Sequence, residues 1–332
     1  MSRKQQVVVV TGASAGVGRA TAIEFAKRGA KVALLARGEA GLKGVASDVL
    51  AAGGIPLTIQ VDVADAAAVQ HAARQVEETF GPIDVWVNNA MTSVFSPVKE
   101  MTADDFKRVT DVTYLGVVNG TLAALQWMLP RNHGRIVQVG SALAYRGIPL
   151  QAAYCGAKHA IQGFNDSLRA ELLHDGSQVT VGMVQLPALN TPQFRWVKSR
   201  LPNEAQPVPP IYQPEVAARA IVFAADTGRR EMTVGGINFL LVWGNKFFPG
   251  FGDWYLARTA VQGQQLDEPL NESRPNNLHA PADDLHDHGT HGVFDQRARP
   301  YSRQLWLSEN RRTIALGLLG VLGGALVMRR KA

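Results

Sequence analysis

Short apolar runs alternate with longer stretches of mixed polarity along roughly the first 240 residues. The runs rich in Val, Ile and Leu predict β-strands at 7–10, 31–36, 56–61, 83–87, 135–140, 178–185 and 231–234. Most are apolar at every position, which is typical of strands that helices cover on both faces. The alternation predicts an α/β fold: a doubly wound parallel sheet flanked by helices, with ligands bound at the carboxyl ends of the strands.

The stretches between the strands carry helical spacing. The clearest example follows Tyr154, where apolar side chains recur every three or four residues at Ala157, Ile161, Phe164, Leu168 and Leu172. This spacing puts all five on one face of a helix, so we expect them to pack in the core. An earlier helix is predicted over 19–28, ended by Gly29.

Short motifs lie at or just after the ends of several predicted strands. The loop Thr-Gly-Ala-Ser-Ala-Gly-Val-Gly, which starts at Thr11, leads into a helix and places backbone N–H groups where a pyrophosphate could bind. The motif Asn-Asn-Ala, which starts at Asn88, follows the fourth strand, and Ser141 follows the fifth. Tyr154 and Lys158 would share a helix face, where the ammonium would favour the phenolate form of the tyrosine. A glycine loop with such a pair predicts a hydride-transfer enzyme.

Together, these motifs resemble the classical short-chain dehydrogenase/reductases over roughly residues 5–260, because four motifs occur in the family's order and spacing. The resemblance implies a Rossmann-like fold and an oxidoreductase that interconverts a carbonyl and a secondary alcohol with a nicotinamide cofactor. It implies that Tyr154 transfers the proton, that Ser141 hydrogen-bonds the reacting oxygen, and that Lys158 lowers the tyrosine pKa and binds ribose. The chemistry agrees, because a hydride arriving at a carbonyl carbon leaves an oxyanion that needs stabilisation and a proton.

The resemblance also assigns contacts to the cofactor. They are Thr11, Gly12, Ser14, Gly16, Val17, Gly18, Arg37, Asp62, Val63, Asn89, Ala90, Tyr154, Lys158, Pro187 and Thr191. Enzymes of this fold choose their cofactor at the end of the second strand, where an acid binds the ribose 2′-hydroxyl and an arginine binds a 2′-phosphate. This position is Ala36 followed by Arg37, so NADP(H) is favoured over NAD(H), with Arg19 as a second cation. The alternative is that Arg37 is a solvated loop residue.

The chain departs from the family pattern at three positions. Thr113 stands where the family has the asparagine of its proton relay, and we expect the threonine hydroxyl to take over that catalytic role. Met91 replaces a glycine after the Asn-Asn-Ala motif, and Ala188 replaces a glycine in the loop that contacts the nicotinamide. Because glycine adopts backbone angles that alanine does not, this loop is expected to run a little differently.

Two later segments have unusual compositions. Residues 192–214 contain six prolines and three aromatic side chains, and the resemblance makes them a substrate lid; the alternative is a long connection. Residues 266–304 are polar and contain four histidines, which predicts a flexible linker rather than a metal site. The domain prediction is therefore a Rossmann domain over 1–265, a polar linker over 266–304 and a C-terminal anchor segment over 305–332.

The C-terminal segment is both basic and apolar. Residues 297–332 hold eight Lys or Arg and one acidic residue, so they contribute +7 to the overall charge of +6 and leave residues 1–296 at −1. A nearly neutral main domain gives no sign of nucleic-acid binding. Residues 313–328 are uncharged and flanked by basic residues, which predicts a membrane anchor. At ~1.5 Å per residue, a helix over this run is about 24 Å long, short of a ~30 Å hydrocarbon core; a packed terminal helix or a dimer contact is the alternative.

The remaining composition is that of a globular protein in a reducing compartment. The lone Cys155 excludes a disulfide within the chain, and no secretory signal is visible near the N-terminus. We therefore expect a cytoplasmic catalytic domain, anchored to a membrane at its C-terminus and free of metal, that acts on a hydrophobic carbonyl or alcohol. The resemblance implies a homodimer or a homotetramer.

Two other functions fit parts of the sequence. The motif Gly-Ala-Ser-Ala-Gly around Ser14 matches the nucleophile elbow of α/β-hydrolases, but a hydrolase would leave the Tyr-x-x-x-Lys motif unexplained. A membrane-tethered protein that senses NADPH without turnover would fit the changes at Thr113 and Ala188, whereas the intact Ser-Tyr-Lys set opposes it. Oxidation of the cofactor by a carbonyl would distinguish an enzyme from a sensor.

Overall fold

The computed structural model describes residues 5–311 and 313–314, and for 237–242 it describes the backbone alone. The strands are β1 (Val7–Thr11), β2 (Lys31–Ala36), β3 (Ile55–Gln60), β4 (Val85–Asn88), β5 (Val94–Phe95), β6 (Arg135–Ser141), β7 (Thr180–Leu186), β8 (Lys198–Ser199), β9 (Asn203–Ala205), β10 (Glu231–Thr233) and β11 (Gln265–Pro269). The α-helices are α1 (Gly16–Ala26), α2 (Glu39–Ala51), α3 (Ala66–Phe80), α4 (Ala103–Thr110), α5 (Gly116–Met128), α6 (Ala152–His174), α7 (Gln193–Trp196), α8 (Pro214–Thr227), α9 (Gly236–Phe247) and α10 (Pro249–Gly263).

Seven strands form one parallel sheet in the order β10-β7-β6-β4-β1-β2-β3. All seven predicted strands are present, and their ends differ from the prediction by no more than two residues. The Rossmann-like, doubly wound α/β fold is therefore confirmed. The strand order reverses between β1 and β4, and the chain leaves these two strands in opposite directions, which opens a crevice at their carboxyl ends.

Apolar side chains cover both faces of the sheet. Along β1, Val8 and Val10 belong to one core cluster while Val7 and Val9 belong to the other, and all four are buried. Because helices seal each face, both sets of alternating positions have to be apolar. The predicted stripe on α6 also faces the core, with Ile161 fully buried.

Two small sheets anchor the proline-rich stretch 192–214. The short strand β8 pairs with β5, and β9 pairs with β11, directly after α10. The stretch predicted as a lid is therefore held by main-chain hydrogen bonds at two places along its length.

The segment 266–304 differs from the predicted flexible linker. It runs along the carboxyl edge of the main sheet, where Leu278 and Phe294 are 0% and 4% exposed. Residues 303–311 are helical, and Leu305 is buried in a core cluster together with side chains of α8. The composition of segment 266–304 does not predict this packing. Main-chain hydrogen bonds and ion pairs, and not a hydrophobic stripe, fix much of the segment to the domain. The folded domain therefore extends past residue 304, to about residue 311.

The predicted membrane anchor lies mostly outside the described residues. Of the apolar run 313–328, the structure describes residues 313 and 314. Within residues 5–311 and 313–314, no helix combines the length and the hydropathy that a bilayer span needs.

Candidate active site

A cavity of about 560 Å³ opens at the carboxyl edge of the sheet, where β1 and β4 diverge. Most of the predicted site residues line it: Gly12, Ser14, Gly16, Val17, Arg37, Asp62, Val63, Asn89, Ala90, Ser141, Tyr154, Lys158, Pro187 and Thr191. Thr11, Gly18 and Thr113 are buried behind its wall. The fold thus brings together motifs that are separated by up to 180 residues.

The loop between β1 and α1 is shaped by its glycines. Gly12 and Gly16 have φ angles of +63° and +54°, a left-handed region in which other residues are strained. A Cβ atom at Gly18 would lie 2.0 Å from the carbonyl oxygen of Gly12, so this position has no room for a side chain. The helix α1 begins at Gly16, three residues before its predicted start, and its first turn borders the cavity. This glycine cradle fits the pyrophosphate of a dinucleotide.

Thr11, Asn89 and Ala90 hold the cradle in place. The hydroxyl oxygen of Thr11 accepts hydrogen bonds from the backbone N–H groups of Asn89 and Ala90 at 2.9 and 3.0 Å. The side-chain amide of Asn89 donates to the carbonyl oxygens of Thr11 and Gly12 at 2.9 and 3.1 Å. The Asn-Asn-Ala motif therefore couples the end of β4 to the glycine loop, and Met91 in place of glycine simply lines the cavity.

Ser141, Tyr154 and Lys158 meet on one wall of the cavity. Ser141 ends β6, while Tyr154 and Lys158 lie on the first two turns of α6. Ser141 and Tyr154 both line the cavity, and Lys158 Nζ lies 5.5 Å from the centre of the Tyr154 ring. Lys158 Nζ also donates to the carbonyl oxygen of Val139 at 2.6 Å. Two hydroxyl groups with an amine behind them can deliver a proton to a substrate oxygen and stabilise the charge that develops.

Burial is the main cause of the pKa shifts of Tyr154 and Lys158. Desolvation raises the pKa of Tyr154 above its ordinary 10.0, and the neighbouring Ser141 hydroxyl opposes that rise. Desolvation also lowers the pKa of Lys158 from 10.5 to about 7. The sequence predicts that Lys158 lowers the pKa of Tyr154. In the structure, the free-energy cost of desolvating either charged group is larger than the electrostatic attraction between the ammonium and the phenolate.

Thr113 lies on a π-helical turn, Asp111–Leu115, between α4 and α5. Its hydroxyl donates to the carbonyl oxygen of Thr92 at 2.8 Å and accepts from the N–H of Thr92 at 3.0 Å. In this arrangement Thr113 positions the segment that follows Ala90 and does not line the cavity. Its part in a proton relay stays a prediction.

The two charged residues predicted at the adenosine end are paired within the protein. Asp62 forms an ion pair with Arg108. Arg37 donates to the carbonyl oxygens of Asn277 and His279 at 2.6 and 2.9 Å. Arg37 is therefore not a freely solvated loop residue; it borders the cavity and is capped by the C-terminal segment.

Arg19, the second predicted cation, lies outside the cavity wall. Its guanidinium forms ion pairs with Asp48 and Asp287 and is 7% exposed. Arg19 therefore ties α1 to α2 and to the C-terminal segment.

The opposite end of the cavity is apolar and aromatic. Side chains of β5, the proline-rich stretch and α10 form this part of the wall: Phe95, Phe194, Val208, Tyr255 and Leu256. The proline-rich stretch therefore borders the ligand space, and its role as a substrate lid stays a prediction.

Sequence reasoning missed the C-terminal contribution to this cavity. Four lining residues come from the segment interpreted as a linker: Asn277, Pro281, Ala282 and Asp283. The one sequence signal is on α2, where Gly38, Gly41 and Gly44 recur every three residues and leave a helix face without side chains.

The histidines of the same segment are dispersed. His291 hydrogen-bonds Glu215 and Asp295, whereas His288 packs edge-on against Trp196. In the part of the chain that the structure describes, no group of three or more His, Cys, Asp or Glu is placed to hold a metal ion.

Comparison with known proteins identifies the family. The model of the short chain dehydrogenase family matches residues 6–201, more than half of the chain. The chain is 33% identical over 300 residues to the uncharacterized oxidoreductase YxnA of Bacillus subtilis (strain 168), covering 90% of this chain and 84% of that protein. It is 34% identical over 242 residues to the 3-dehydrosphinganine reductase of Danio rerio, covering 70% of this chain and 72% of that protein.

A solved structure agrees. The alcohol dehydrogenase of the archaeon Thermococcus sibiricus, complexed with 5-hydroxy-NADP, superposes with a TM-score of 0.60 at 26% identity, covering 69% of this chain and 96% of that one. The alternative of a hydrolase with Ser14 as nucleophile is set aside, because the matched proteins are oxidoreductases and Ser14 lies at the Arg37 end of the cavity. The chain therefore belongs to the short-chain dehydrogenase family and is an NAD(P)-dependent dehydrogenase or reductase.

Proposed function

We propose that the protein interconverts a carbonyl and a secondary alcohol on a hydrophobic small molecule, with NADP(H) as its cofactor. The observation that carries this proposal is the wall on which Ser141, Tyr154 and Lys158 meet, in the same cavity as the glycine cradle. Bound NADP(H) would supply or accept the hydride at its nicotinamide. The remaining tasks fall to the side chains.

Each of the three side chains has its own task. Ser141 Oγ accepts from the N–H of Leu143 at 3.1 Å, which leaves its own proton to stabilise the developing oxyanion of the substrate. Tyr154 gives its phenolic proton to that oxygen as the hydride reaches the carbon, so the carbonyl becomes a hydroxyl group; oxidation of the alcohol reverses both transfers. Lys158, buried behind the ring, stabilises the phenolate that remains when its amine carries a proton, a state that its pKa of about 7 keeps populated near neutral pH.

A panel of substrates tests the reaction class. Carbonyls are assayed with NADPH and alcohols with NADP⁺, using the full chain because residues 266–311 are part of the fold. The aromatic end of the cavity favours hydrophobic ketones, since burial of apolar surface there adds to binding. Turnover of short polar carbonyls alone would contradict the proposed substrate class.

Arg37→Ala is expected to weaken NADPH binding by roughly 10- to 100-fold and to leave NADH binding within about twofold. A charge-assisted hydrogen bond to a 2′-phosphate contributes about 1.5–3 kcal/mol, and NADH has no such phosphate. Fluorescence titration with both cofactors measures the effect, and Lys43→Ala, at an exposed position of α2, is the matched control. Equal losses for the two cofactors would mean that Arg37 does not read the phosphate.

We propose that the protein also associates with a membrane through its C-terminal region. The apolar run 313–328, which lies mostly outside the described residues, supports this. A second feature is a surface on α9 and α10 where six aromatic side chains are each more than half exposed: Trp243, Phe247, Phe248, Phe251, Trp254 and Tyr255. Contiguous exposed aromatic surface marks an interaction site, and aromatic side chains suit the bilayer interface. Because α10 also lines the apolar end of the cavity, a hydrophobic substrate could enter from that side.

Full-length protein is expected to sediment with membranes and to stay bound through a high-salt wash, because salt releases proteins that are held by charge alone. A protein ending at residue 314 should bind vesicles far more weakly and remain folded. One ending at residue 304 should be less stable, since it loses the buried Leu305 and the contacts of Ser308 with Arg229. Full-length protein that remains in the supernatant after ultracentrifugation would contradict the membrane proposal.

A further inference from the structure

Residues 277–289, here called the strap, lie across the end of the cavity that Ser14 and Arg37 border. In this fold the residues after β2 and within the glycine loop surround the adenosine ribose. Asp283 of the strap lines the same part of the cavity and is 8% exposed. The strap therefore brings a carboxylate to the place where the ribose 2′-substituent is read.

The start of α2 is occupied by the strap. The N–H groups of Ala40 and Gly41 donate to the carbonyl oxygens of Asp284 and Asp283 at 3.2 and 3.0 Å. The N–H of Glu39 donates to the Asp284 carboxylate at 3.2 Å. Free N–H groups at a helix start attract anions, so the strap fills positions that would otherwise favour a phosphate.

The face of α2 that meets the strap has glycine at three successive contact positions. A Cβ atom at Gly38 or Gly41 would lie 2.0 or 2.4 Å from a carboxylate oxygen of Asp283. A Cβ atom at Gly44 would lie 2.0 Å from a carboxylate oxygen of Asp287. The helix is thus shaped to accept both carboxylates at close range.

The strap also engages both cations near this end. Arg37 donates to two carbonyl oxygens of the strap, and Arg19 pairs with Asp287. We propose that Asp283 is a specificity-determining residue that disfavours NADP(H) relative to NAD(H), that Asp287 holds the strap on α2, and that the strap lifts from α2 when a 2′-phosphate binds.

The physical reason is a difference between the two ribose substituents. A carboxylate accepts a hydrogen bond from the 2′-hydroxyl of NAD(H), whereas its negative charge repels the negatively charged 2′-phosphate of NADP(H). The phosphate must also take Arg37 from the carbonyl oxygens that now hold it. The inference rests on the proposed function. Arg37 favours NADP(H), Asp283 opposes that preference, and the balance between the two side chains sets the ratio of NADPH to NADH affinity.

Binding titrations without substrate test the role of Asp283. Asp283→Asn keeps the shape of the side chain and removes its charge, so we expect the ratio of the NADPH and NADH dissociation constants to shift about 10-fold toward NADPH. Asp267→Asn, at an exposed carboxylate of β11, makes the same charge change outside the cavity and should leave the ratio unchanged. A ratio that is the same in Asp283→Asn and in wild type overturns the proposal, whether or not both affinities move together.

A second variant avoids any disturbance of the strap's own sequence. Gly44→Ala adds a methyl group whose three nearest neighbours are atoms of the Asp287 carboxylate, and alanine is the better helix former. It should loosen the strap and shift the ratio in the same direction as Asp283→Asn. In wild type, amide hydrogen exchange of residues 277–289 should rise with NADPH and not with NADH; equal protection by both cofactors overturns the lifting of the strap.

Failure of this inference is distinct from failure of the NADP(H) proposal. If Arg37→Ala lowers NADPH affinity alone while Asp283→Asn leaves the ratio unchanged, the strap inference is wrong and the cofactor proposal stands. If Asp283→Asn shifts the ratio while Arg37→Ala weakens the binding of both cofactors equally, the strap inference stands and the role of Arg37 in the cofactor proposal is wrong.

Discussion

Tyr154→Phe is expected to lower kcat for carbonyl reduction by roughly 10³-fold while NADPH affinity stays within about twofold of wild type. Proton transfer by a positioned side chain contributes about 10²–10⁴-fold, and the substitution removes only the hydroxyl that performs it. The phenylalanine ring fills the same space beside Lys158, so the cavity keeps its shape. Steady-state kinetics with the most active ketone of the panel, together with fluorescence titration of NADPH, measure the two effects.

A second tyrosine provides the control for this prediction. Tyr145 hydrogen-bonds Glu231 and does not line the cavity, so Tyr145→Phe should retain turnover. Undiminished activity in Tyr154→Phe would remove the tyrosine from the mechanism, and an equal loss in both variants would point to a general effect on folding.

Lys158→Met is expected to abolish most turnover, to weaken cofactor binding and yet to raise the melting temperature of the protein at pH 6. The pKa of Lys158 falls from 10.5 to about 7 in the fold, so below pH 7 the folded protein bears the cost of a buried ammonium. At about 1.4 kcal/mol per pKa unit, removing that cost should stabilise the fold on the order of 3 kcal/mol. This figure allows about 1–2 kcal/mol for the donor that Val139 loses.

The pH dependence gives this prediction its sign. Between pH 7 and 10.5 the unfolded chain keeps a proton on Lys158 that the folded chain has lost. The free energy of unfolding of the wild type therefore rises with pH across this range, as the cost of burying Lys158 falls. The advantage of Lys158→Met should therefore be largest below pH 7 and shrink toward pH 10. Thermal melts of both proteins at pH 6 and pH 9 measure it, and a stability difference that does not change with pH would contradict a neutralised lysine.

The sheet was predictable because its signals are local. Each strand is an apolar run bounded by polar residues, and burial on both faces requires that pattern whatever lies elsewhere in the chain. The start of α1 was placed three residues too late, since Gly16, Val17 and Gly18 are poor helix formers. These three residues nevertheless form the first turn of α1, because the glycine loop places that turn beside the cavity.

The strap was not predictable, because its contacts with Arg37 and α2 join residues 240 or more positions apart. Asn277 and His279 meet Arg37 through main-chain oxygens, which leave no trace in the sequence. Composition alone made the segment a linker, since few of its side chains are apolar, and yet Leu278 is fully buried. The pKa values of Tyr154 and Lys158 belong to the same class of result, because burial, which sets them, is known only after the chain is folded.

Transfer of the hydride itself tests the central claim most directly. The full chain is incubated with NADPH carrying deuterium at both C4 positions and with the ketones of the panel, and the products are examined by mass spectrometry and NMR. The account predicts an alcohol with one deuterium on its carbinol carbon, formed by the wild type and almost absent with Tyr154→Phe. If NADPH binds but no ketone of the panel acquires deuterium, the protein senses its cofactor without turning it over, and the roles given to Ser141, Tyr154 and Lys158 are contradicted.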